Sequence, residues 1–311
     1  MKRIKLTGGG YEAEILPEFG ANCISLRHSD SGATLLRTPE TDEAFVENPC
    51  LYGMPLLFPP NRIEDGVFDF AGKTYRFPIN EPERQTHLHG ELFRTPFEVT
   101  CAKCSCATFA FRAVKERPYF DYDALSIEIT YSLDENGLRQ TVTVMNESDE
   151  VVPVGLGFHT AFSIPFLPNG RAEDVLLLGE LGAEYVRDPE RMLTVWEPLP
   201  DSQVHRAIEC GTFSPHGKGV SAQYLCGEER TMRMIDKATG VAVSYEVSET
   251  YFSWLTWKPE KSDFLCLEPQ SWLVNAPHAS EPVGMGLKVV EPHEKIVFSA
   301  RMYLDKNFAI R

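Results

Sequence analysis

Hydrophobic and polar residues alternate with a period of two along much of this chain. In the segment 125–133, five apolar residues at odd positions alternate with four polar ones. A turn sequence, 134–137, and a second alternating run from Leu138 to Val144 follow directly. Because successive side chains of a strand point to opposite faces, this pattern predicts a β-hairpin.

The same period predicts strands elsewhere in the chain. Residues 231–235 and 241–247 predict a second hairpin, residues 295–304 a late strand, and residues 1–16 a first strand. Helical periodicity is nearly absent, and only short stretches such as 189–193 could hold a turn of helix.

Turn-forming residues divide these runs, since 22 glycines and 22 prolines are spread over the 311 residues. Many short strands separated by turns are typical of an all-β sandwich or barrel. No linker, repeat or low-complexity tract interrupts the sequence. We therefore predict one domain over residues 1–311, built as a large antiparallel sandwich of two sheets.

The charge and the apolar runs of the chain argue against two classes of partner, nucleic acids and membranes. The formal net charge of -15 opposes binding to a phosphate backbone, so we expect no nucleic acid partner. No apolar run is long enough to span a bilayer, and the basic start of the chain lacks the long apolar segment of a signal peptide. We therefore expect a cytoplasmic protein without a membrane partner.

The eight cysteines are expected to be free thiols, because the chain is long and shows no secretory signal. In a strand, Cys104 and Cys106 would share one face while Cys101 points the other way. Zinc needs four ligands in tetrahedral geometry, and no second Cys/His pair has matching spacing. We predict a cysteine-rich strand here and no metal site.

The segment 53–66 contains three prolines and does not suit a regular central strand, because proline lacks the amide donor of the ladder. A rigid loop here would present Asn61 and Arg62. The arginine fork suits hydroxyl, carboxylate or phosphate groups, and pairing of Arg62 with Glu64 or Asp65 is the alternative.

Three histidines are candidates for acid–base chemistry. His87 and His89, one residue apart on an extended segment, would point the same way and could bind a metal or a ligand. His159 lies at a glycine-flanked strand end, where a ligand can approach the backbone closely. For each histidine, a structural hydrogen bond is the alternative.

Glu268 ends the strongly apolar run 264–267. A carboxylate there must be paired, hydrogen-bonded or protonated, and burial raises its pKa toward the range of a general base. A buried salt bridge is the alternative interpretation. Upstream, the aromatic segment 251–257 ends in Trp257, which could stack on a sugar ring or pack in the core.

Together these segments resemble the aldose 1-epimerase (galactose mutarotase) family. They occur in the family's order over most of the chain, and the stretch 61–90 is the most specific. The matching residues are Phe58, Pro59, Asn61, Arg62, Ile63, Gly66, Phe68, Gly72, Tyr75, Phe77, Pro78, Ile79, Asn80, His87, Leu88, His89, Gly90, Gly157, Phe158, His159, Phe162, Leu267, Glu268, Pro269 and Gln270.

The resemblance implies an all-β fold, a large antiparallel β-supersandwich of the galactose mutarotase type. It also implies cofactor-independent isomerase chemistry at the anomeric carbon of a hexose. Glu268 would take the proton of the C1 hydroxyl, His159 would donate to the ring oxygen, and His89 would polarise that oxygen. The implied substrate-binding residues are Arg62, His89, Asn61, Gln270 and Trp257.

The chain departs from the family in one respect. Galactose mutarotases carry an aspartate that binds sugar hydroxyls, whereas the corresponding stretch 220–224 has none, and Asp201 or Asp236 could substitute. A hexose 6-phosphate bound by Arg84 and Arg94 is therefore an alternative substrate. A non-catalytic carbohydrate-binding protein on the same fold is a third hypothesis. We expect a small sugar as partner, no metal or other cofactor, and a monomer or homodimer.

Overall fold

The fold is described from a computed structural model, which covers residues 1–200, 202–306 and 308. Strands account for 50% of the chain and helices for 9%, which confirms the all-β prediction. The strands of the first half are β1 (Ile4–Gly8), β2 (Tyr11–Leu16), β3 (Asn22–His28), β4 (Ala33–Thr34), β5 (Leu56–Leu57), β6 (Arg62–Glu64), β7 (Val67–Phe70), β8 (Lys73–Arg76), β9 (Thr86–Leu88), β10 (Glu98–Ala102), β11 (Cys106–Ala113), β12 (Leu125–Asp134) and β13 (Gly137–Asn146).

The second half continues the same pattern of short antiparallel strands. These are β14 (Val152–Val154), β15 (Gly157–Phe158), β16 (Thr160–Ser163), β17 (Val175–Gly179), β18 (Leu181–Arg187), β19 (Thr194–Leu199), β20 (Val220–Cys226), β21 (Thr231–Asp236), β22 (Val241–Val247), β23 (Ser253–Lys258), β24 (Phe264–Gln270), β25 (Lys288–Val290) and β26 (Lys295–Asp305). Short 3-10 helices cover Pro49–Leu51, Leu92–Arg94, Ala172–Asp174, Ala276–His278 and Val283–Met285.

Two short α-helices, α1 (Asp42–Glu47) and α2 (Gln203–Glu209), were not predicted from the sequence. Each begins at a hydroxyl N-cap, because the side chain of Thr41 or Ser202 accepts a bond from an amide three residues on. Both are shorter than two turns, so they leave little periodic signal. The segment 189–193, where a helical turn was considered, is instead a turn between β18 and β19.

Two large antiparallel sheets form the body of the molecule. The first has the order β10-β11-β12-β13-β26-β22-β21-β17. The second has the order β19-β18-β20-β23-β24-β15-β5, with β16 also paired to β24. A four-stranded sheet, β1-β2-β3-β4, and the pairs β14–β25, β6–β9 and β7–β8 complete the strand pairing.

Aromatic side chains from both large sheets meet in the core. The ring of Tyr245 on β22 lies 5.5 Å from that of Trp254 on β23 and 5.7 Å from that of Phe162 on β16. All three residues are essentially inaccessible to solvent. Their burial joins the inner faces of the two sheets, which is the arrangement predicted for a sandwich.

The predicted hairpins are confirmed. Strands β12 and β13 pair with Asp134 opposite Gly137, and β21 pairs with β22 across the turn 237–240. The late strand is β26. The N-terminal segment differs from the prediction, because residues 1–16 form two paired strands with a turn at Gly9 and Gly10, both of which adopt positive φ.

The cysteine-rich segment also differs from the prediction of one strand. Cys101 is on β10, Cys104 is in the turn that follows, and Cys106 begins β11. The β10–β11 connection therefore interrupts the alternation on which a shared face was predicted. Within the described ranges, no group of three or more Cys, His, Asp or Glu side chains is arranged to hold a metal ion. No helix in these ranges is long and apolar enough to cross a membrane.

Candidate active site

A cleft of about 420 Å³ lies against one face of the second large sheet. Its floor comes from β24, β23 and β20, and its walls come from the turns and loops around residues 47–51, 61–62, 84–94 and 187–192. The cross-strand pairs Leu255–Glu268 and Ser221–Trp257 direct these four side chains to the same face. The sheet therefore supplies a rigid floor, and irregular segments supply most of the polar wall.

Glu268 is the carboxylate on the cleft floor. Every residue of β24 is buried, and Glu268 itself is 1% exposed. Its Oε2 accepts a hydrogen bond of 3.1 Å from the Gln270 side chain, and its Oε1 lies 3.3 Å from Nε2 of His159. Burial raises the pKa of Glu268, although His159 and Arg187 act in the opposite direction.

His159 lies between β15 and β16, opposite Glu268 on the neighbouring strand β24. Its backbone amide donates to the carbonyl of Pro55 over 3.1 Å, which anchors this irregular junction. The imidazole packs edge-on against Trp257, with ring centroids 5.6 Å apart. Its Nδ1 is buried and has no hydrogen-bond partner among the described residues, so Nε2 is the atom available for chemistry in the cleft.

His89 faces the same space, with its ring centroid 5.4 Å from that of His159. The backbone amide of Asn61 donates to Nδ1 of His89 over 3.3 Å, and the amide of His89 donates to the carbonyl of Asn61 over 3.0 Å. Since Nδ1 accepts, the neutral ring carries its proton on Nε2. Burial lowers the pKa of His89 well below its usual value, aided by nearby His159 and Arg62. His89 is therefore a neutral hydrogen-bond donor.

His87 does not share this orientation, so the expectation that both histidines point the same way is wrong. His87 is completely buried, with Nδ1 2.7 Å from the carbonyl of Pro78 and Nε2 accepting from the amide of Gly90. The extended backbone ends at His89, whose φ is +70°, and the alternation of side chains fails there. His87 holds the loop in shape, which is the structural role weighed from the sequence.

Arg62 lines the cleft but is paired differently from the alternative drawn from the sequence. Its Nε and Nη2 donate to the two carboxylate oxygens of Glu81 over 2.6 and 2.8 Å. Glu81 also accepts a bond of 2.7 Å from the hydroxyl of Thr86. This bidentate pair fixes the guanidinium plane and leaves Nη1 as the end nearest Asn61, 3.4 Å from its Oδ1.

The remaining predicted residues occupy different places. Asn61 and Trp257 line the cleft, and their contact with a ligand stays a prediction. Gln270 is completely buried and does not line the cleft; its amide contacts Glu268 instead. The structure thus gives Gln270 the geometry of a positioning residue for the carboxylate.

The stretch without the family's aspartate contributes Ser221 to the cleft floor. Its hydroxyl accepts a hydrogen bond of 2.7 Å from Nη2 of Arg187, which ends β18 and also lines the cleft. Asp236 lies on β21 in the other large sheet and bonds to Thr239, so it does not replace the aspartate. Asp201, the other candidate, is outside the described residues.

Sequence reasoning missed Arg187 and the loop that follows it. Met192 on this loop lines the cleft, and Arg191 ties the loop to residues 64–65 and 84–85. Arg191 donates to Glu64, to Asp65 over 2.8 Å and to the carbonyls of residues 84 and 85, each over 3.0 Å. These partners are more than 100 residues away in the chain, and no local pattern signals such contacts.

Taken as chemistry, the cleft joins a buried carboxylate, a histidine in contact with it and a second, neutral histidine that donates from Nε2. A carboxylate and a protonated imidazole can exchange protons with two different atoms of one bound molecule. A neutral donor beside them can stabilise developing negative charge on an oxygen. The indole of Trp257 offers an apolar face beside this group.

Comparison with known proteins finds relatives by sequence and by structure. The chain is 28% identical over 160 residues to the uncharacterised protein YihR of Escherichia coli K12, a match covering 50% of this chain and 48% of YihR. The matched part thus spans about half the length of that relative.

Solved structures match over the whole fold. A galactose mutarotase-like protein of Clostridium acetobutylicum is 27% identical, with a TM-score of 0.89 over 97% of this chain and 94% of that one. An aldose epimerase homologue of C. elegans shares the fold at 17% identity, with a TM-score of 0.77 and coverage of 98% and 99%. The family model for aldose 1-epimerase matches residues 2–302, and the chain therefore belongs to the aldose 1-epimerase family.

Proposed function

We propose that this protein is an aldose 1-epimerase, which interconverts the α and β anomers of a hexose by opening and reclosing the pyranose ring. The observation that carries the proposal is the convergence of Glu268, His159 and His89 in one cleft, with Nε2 of His159 3.3 Å from Oε1 of Glu268. Ring opening needs a base at O1 and an acid at the ring oxygen at the same time.

In the opening step, Glu268 takes the proton from the C1 hydroxyl. The C1–O1 bond becomes a carbonyl, the bond between C1 and the ring oxygen breaks, and its electron pair moves to the ring oxygen. His159 gives that oxygen a proton. Rotation about the C1–C2 bond and the reverse proton transfers then close the ring to the other anomer.

The two histidines differ in what they can contribute. A neutral imidazole is a very poor acid, so the group that gives up a proton must start as imidazolium. His159 has the Glu268 carboxylate beside it as counter-charge. His89 has a lowered pKa, stays neutral, and can only donate a hydrogen bond to the ring oxygen. We therefore assign the acid role to His159 and a polarising role to His89.

Substrate binding falls to the cleft walls in this proposal. Arg62 and Asn61 would hold sugar hydroxyls, and Trp257 would pack against the ring. Gln270, predicted as a substrate-binding residue, is better suited to holding Glu268, because its amide donates to that carboxylate. A cytoplasmic location and a monomeric or homodimeric state stay predictions.

Anomer exchange measured by NMR, or the decay of optical rotation of freshly dissolved D-glucose and D-galactose, tests the proposal. We expect the purified protein to accelerate exchange at micromolar concentration. Binding of a sugar with no acceleration would favour the non-catalytic carbohydrate-binding alternative. Acceleration that survives intact in Glu268→Gln would remove Glu268 from the mechanism.

A further inference from the structure

The cleft brings several arginines together in a protein that is strongly acidic overall. The formal net charge of the protein is -15, yet four arginines line this one cavity, together with two carboxylates, those of Glu47 and Glu268. They are Arg62, Arg84, Arg94 and Arg187. A neutral hexose needs hydrogen-bond donors and acceptors but no excess of cations. The partners of each arginine therefore show whether the cleft has a positive charge left to bind an anionic group.

Two of the four arginines share one carboxylate. Arg62 forms the bidentate pair with Glu81, and Nε of Arg84 lies 3.3 Å from Oε1 of the same residue. The group of three side chains therefore keeps one positive charge. Arg94 is more exposed and is loosely paired with Glu91, at 3.7 Å.

Arg187 has no carboxylate oxygen within 4.0 Å among the residues that the structure describes. Its Nη2 donates to the Ser221 hydroxyl, which carries no charge. Burial lowers the pKa of Arg187 to about 10 and Arg62 acts in the same direction, while the Glu268 carboxylate acts against them. A guanidinium stays protonated at neutral pH even so, and a partly desolvated one gains from an anionic partner.

We propose that the cleft binds an aldose bearing an anionic group, and that Arg187 recognises this group together with Arg62 and Arg84. The inference rests on the proposed epimerase function and specifies its substrate class. The guanidinium fork matches the paired oxygens of a phosphate, a sulfonate or a carboxylate. The stretch 220–224, where the resemblance to galactose mutarotases implies an aspartate, has no acidic residue here. It contributes Ser221, which accepts a hydrogen bond from Arg187 and would not repel an anionic substrate.

Exchange kinetics on matched sugars test the proposal. D-glucose and D-galactose are each compared with derivatives that carry a phosphate, a sulfonate or a carboxylate at C6, where the group can be added without removing a ring hydroxyl. We expect at least one anionic sugar to exceed its neutral parent in kcat/KM about tenfold to hundredfold, the scale of a charge-assisted hydrogen bond. The preferred derivative identifies the anionic group.

Variants at the two residues then tie the preference to this arrangement. Arg187→Gln removes the charge, Arg187→Lys retains it without the fork, and Ser221→Asp supplies a carboxylate that neutralises Arg187. We expect the ratio of kcat/KM for the anionic sugar to kcat/KM for its neutral parent to fall about tenfold or more in Arg187→Gln and Ser221→Asp. The fall should be smaller in Arg187→Lys. Arg171→Gln, at an exposed arginine paired with Glu173, is the matched control with the same change in net charge.

The outcomes separate this proposal from the one on which it rests. Exchange of neutral parents at rates above every anionic derivative overturns the anionic substrate and leaves the epimerase intact. No acceleration of any sugar overturns the epimerase function itself. Equal losses on neutral and anionic sugars in Arg187→Gln, with a displaced pH profile, would mean that Arg187 acts only through Glu268. That result would overturn its assignment as the anion-recognising residue.

Discussion

Nε2 of His159 lies 3.3 Å from Oε1 of Glu268, and both side chains are almost completely buried. The proposed base is on β24, and the proposed acid is at the junction of β15 and β16, both of which pair with β24. We expect Glu268→Gln and His159→Gln each to lower kcat for anomer exchange about 10²–10⁴-fold, since each removes one proton-transfer group. NMR exchange measurements give the rates, and circular dichroism confirms the fold. Activity within threefold of the wild type in either folded variant would contradict the assigned role.

We expect Glu268→Gln to raise the stability of the folded protein at alkaline pH while it lowers activity. Burial raises the folded-state pKa of Glu268, so the folded protein binds this proton more tightly than the unfolded chain. The resulting stabilisation is present below the unfolded pKa and is lost as pH rises through the folded value. At pH 8 the wild type therefore buries a carboxylate that Glu268→Gln lacks.

We expect the melting temperature of Glu268→Gln to exceed that of the wild type at pH 8, and the gap to shrink toward pH 4. Differential scanning calorimetry across this range measures it. Glu116→Gln, at an exposed position, is the matched control. A gap that widens on acidification would mean that burial does not govern the titration of Glu268.

Substitution of Gln270 tests how Glu268 is positioned while both the proposed acid and the proposed base stay in the protein. Its amide donates to Oε2 of Glu268 and lowers the pKa of that carboxylate, so Gln270→Leu should raise it. The acid limb of the rate profile would then move to higher pH, and kcat at neutral pH would fall about tenfold. Gln140→Leu is the matched control, since Gln140 is equally buried in the other large sheet and bonds to Tyr131. An unmoved acid limb in Gln270→Leu would assign it a packing role alone.

Arg191 is expected to hold one loop of the cleft in place. It ties the loop that carries Met192 to Glu64 and Asp65, which follow the cleft residues Asn61 and Arg62 in the chain. We expect Arg191→Ala to raise KM about tenfold with a smaller change in kcat, because the loop loses its anchor while the acid–base pair stays in place. Steady-state exchange kinetics separate the two constants.

Arg233→Ala serves as the control for this prediction, because Arg233 forms its ion pair with Glu229 on the other large sheet. A change confined to kcat in Arg191→Ala would show that the loop affects the chemical step rather than binding.

Local sequence was enough to predict the hairpins β12–β13 and β21–β22, the late strand β26 and the order of the site segments. Alternation with a period of two predicts a strand, because every second side chain then faces the core. The hairpin β12–β13 was predicted on this basis. The sequence also showed Glu268 at the end of an apolar run and His159 at a glycine-flanked strand end before any contact was known.

Tertiary structure decided what these residues touch. The period of two failed at His89, where a positive φ separates its direction from that of His87. Arg187 and Arg191 carry no local signal, because their partners lie on strands and loops that are distant in sequence. The sequence alone determined the all-β class, because that class depends on the alternation of apolar and polar residues, while the acid and base roles of His159 and Glu268 came from the resemblance to the family. The charge of the cleft emerged only from the fold, because it depends on which side chains meet across the sheet.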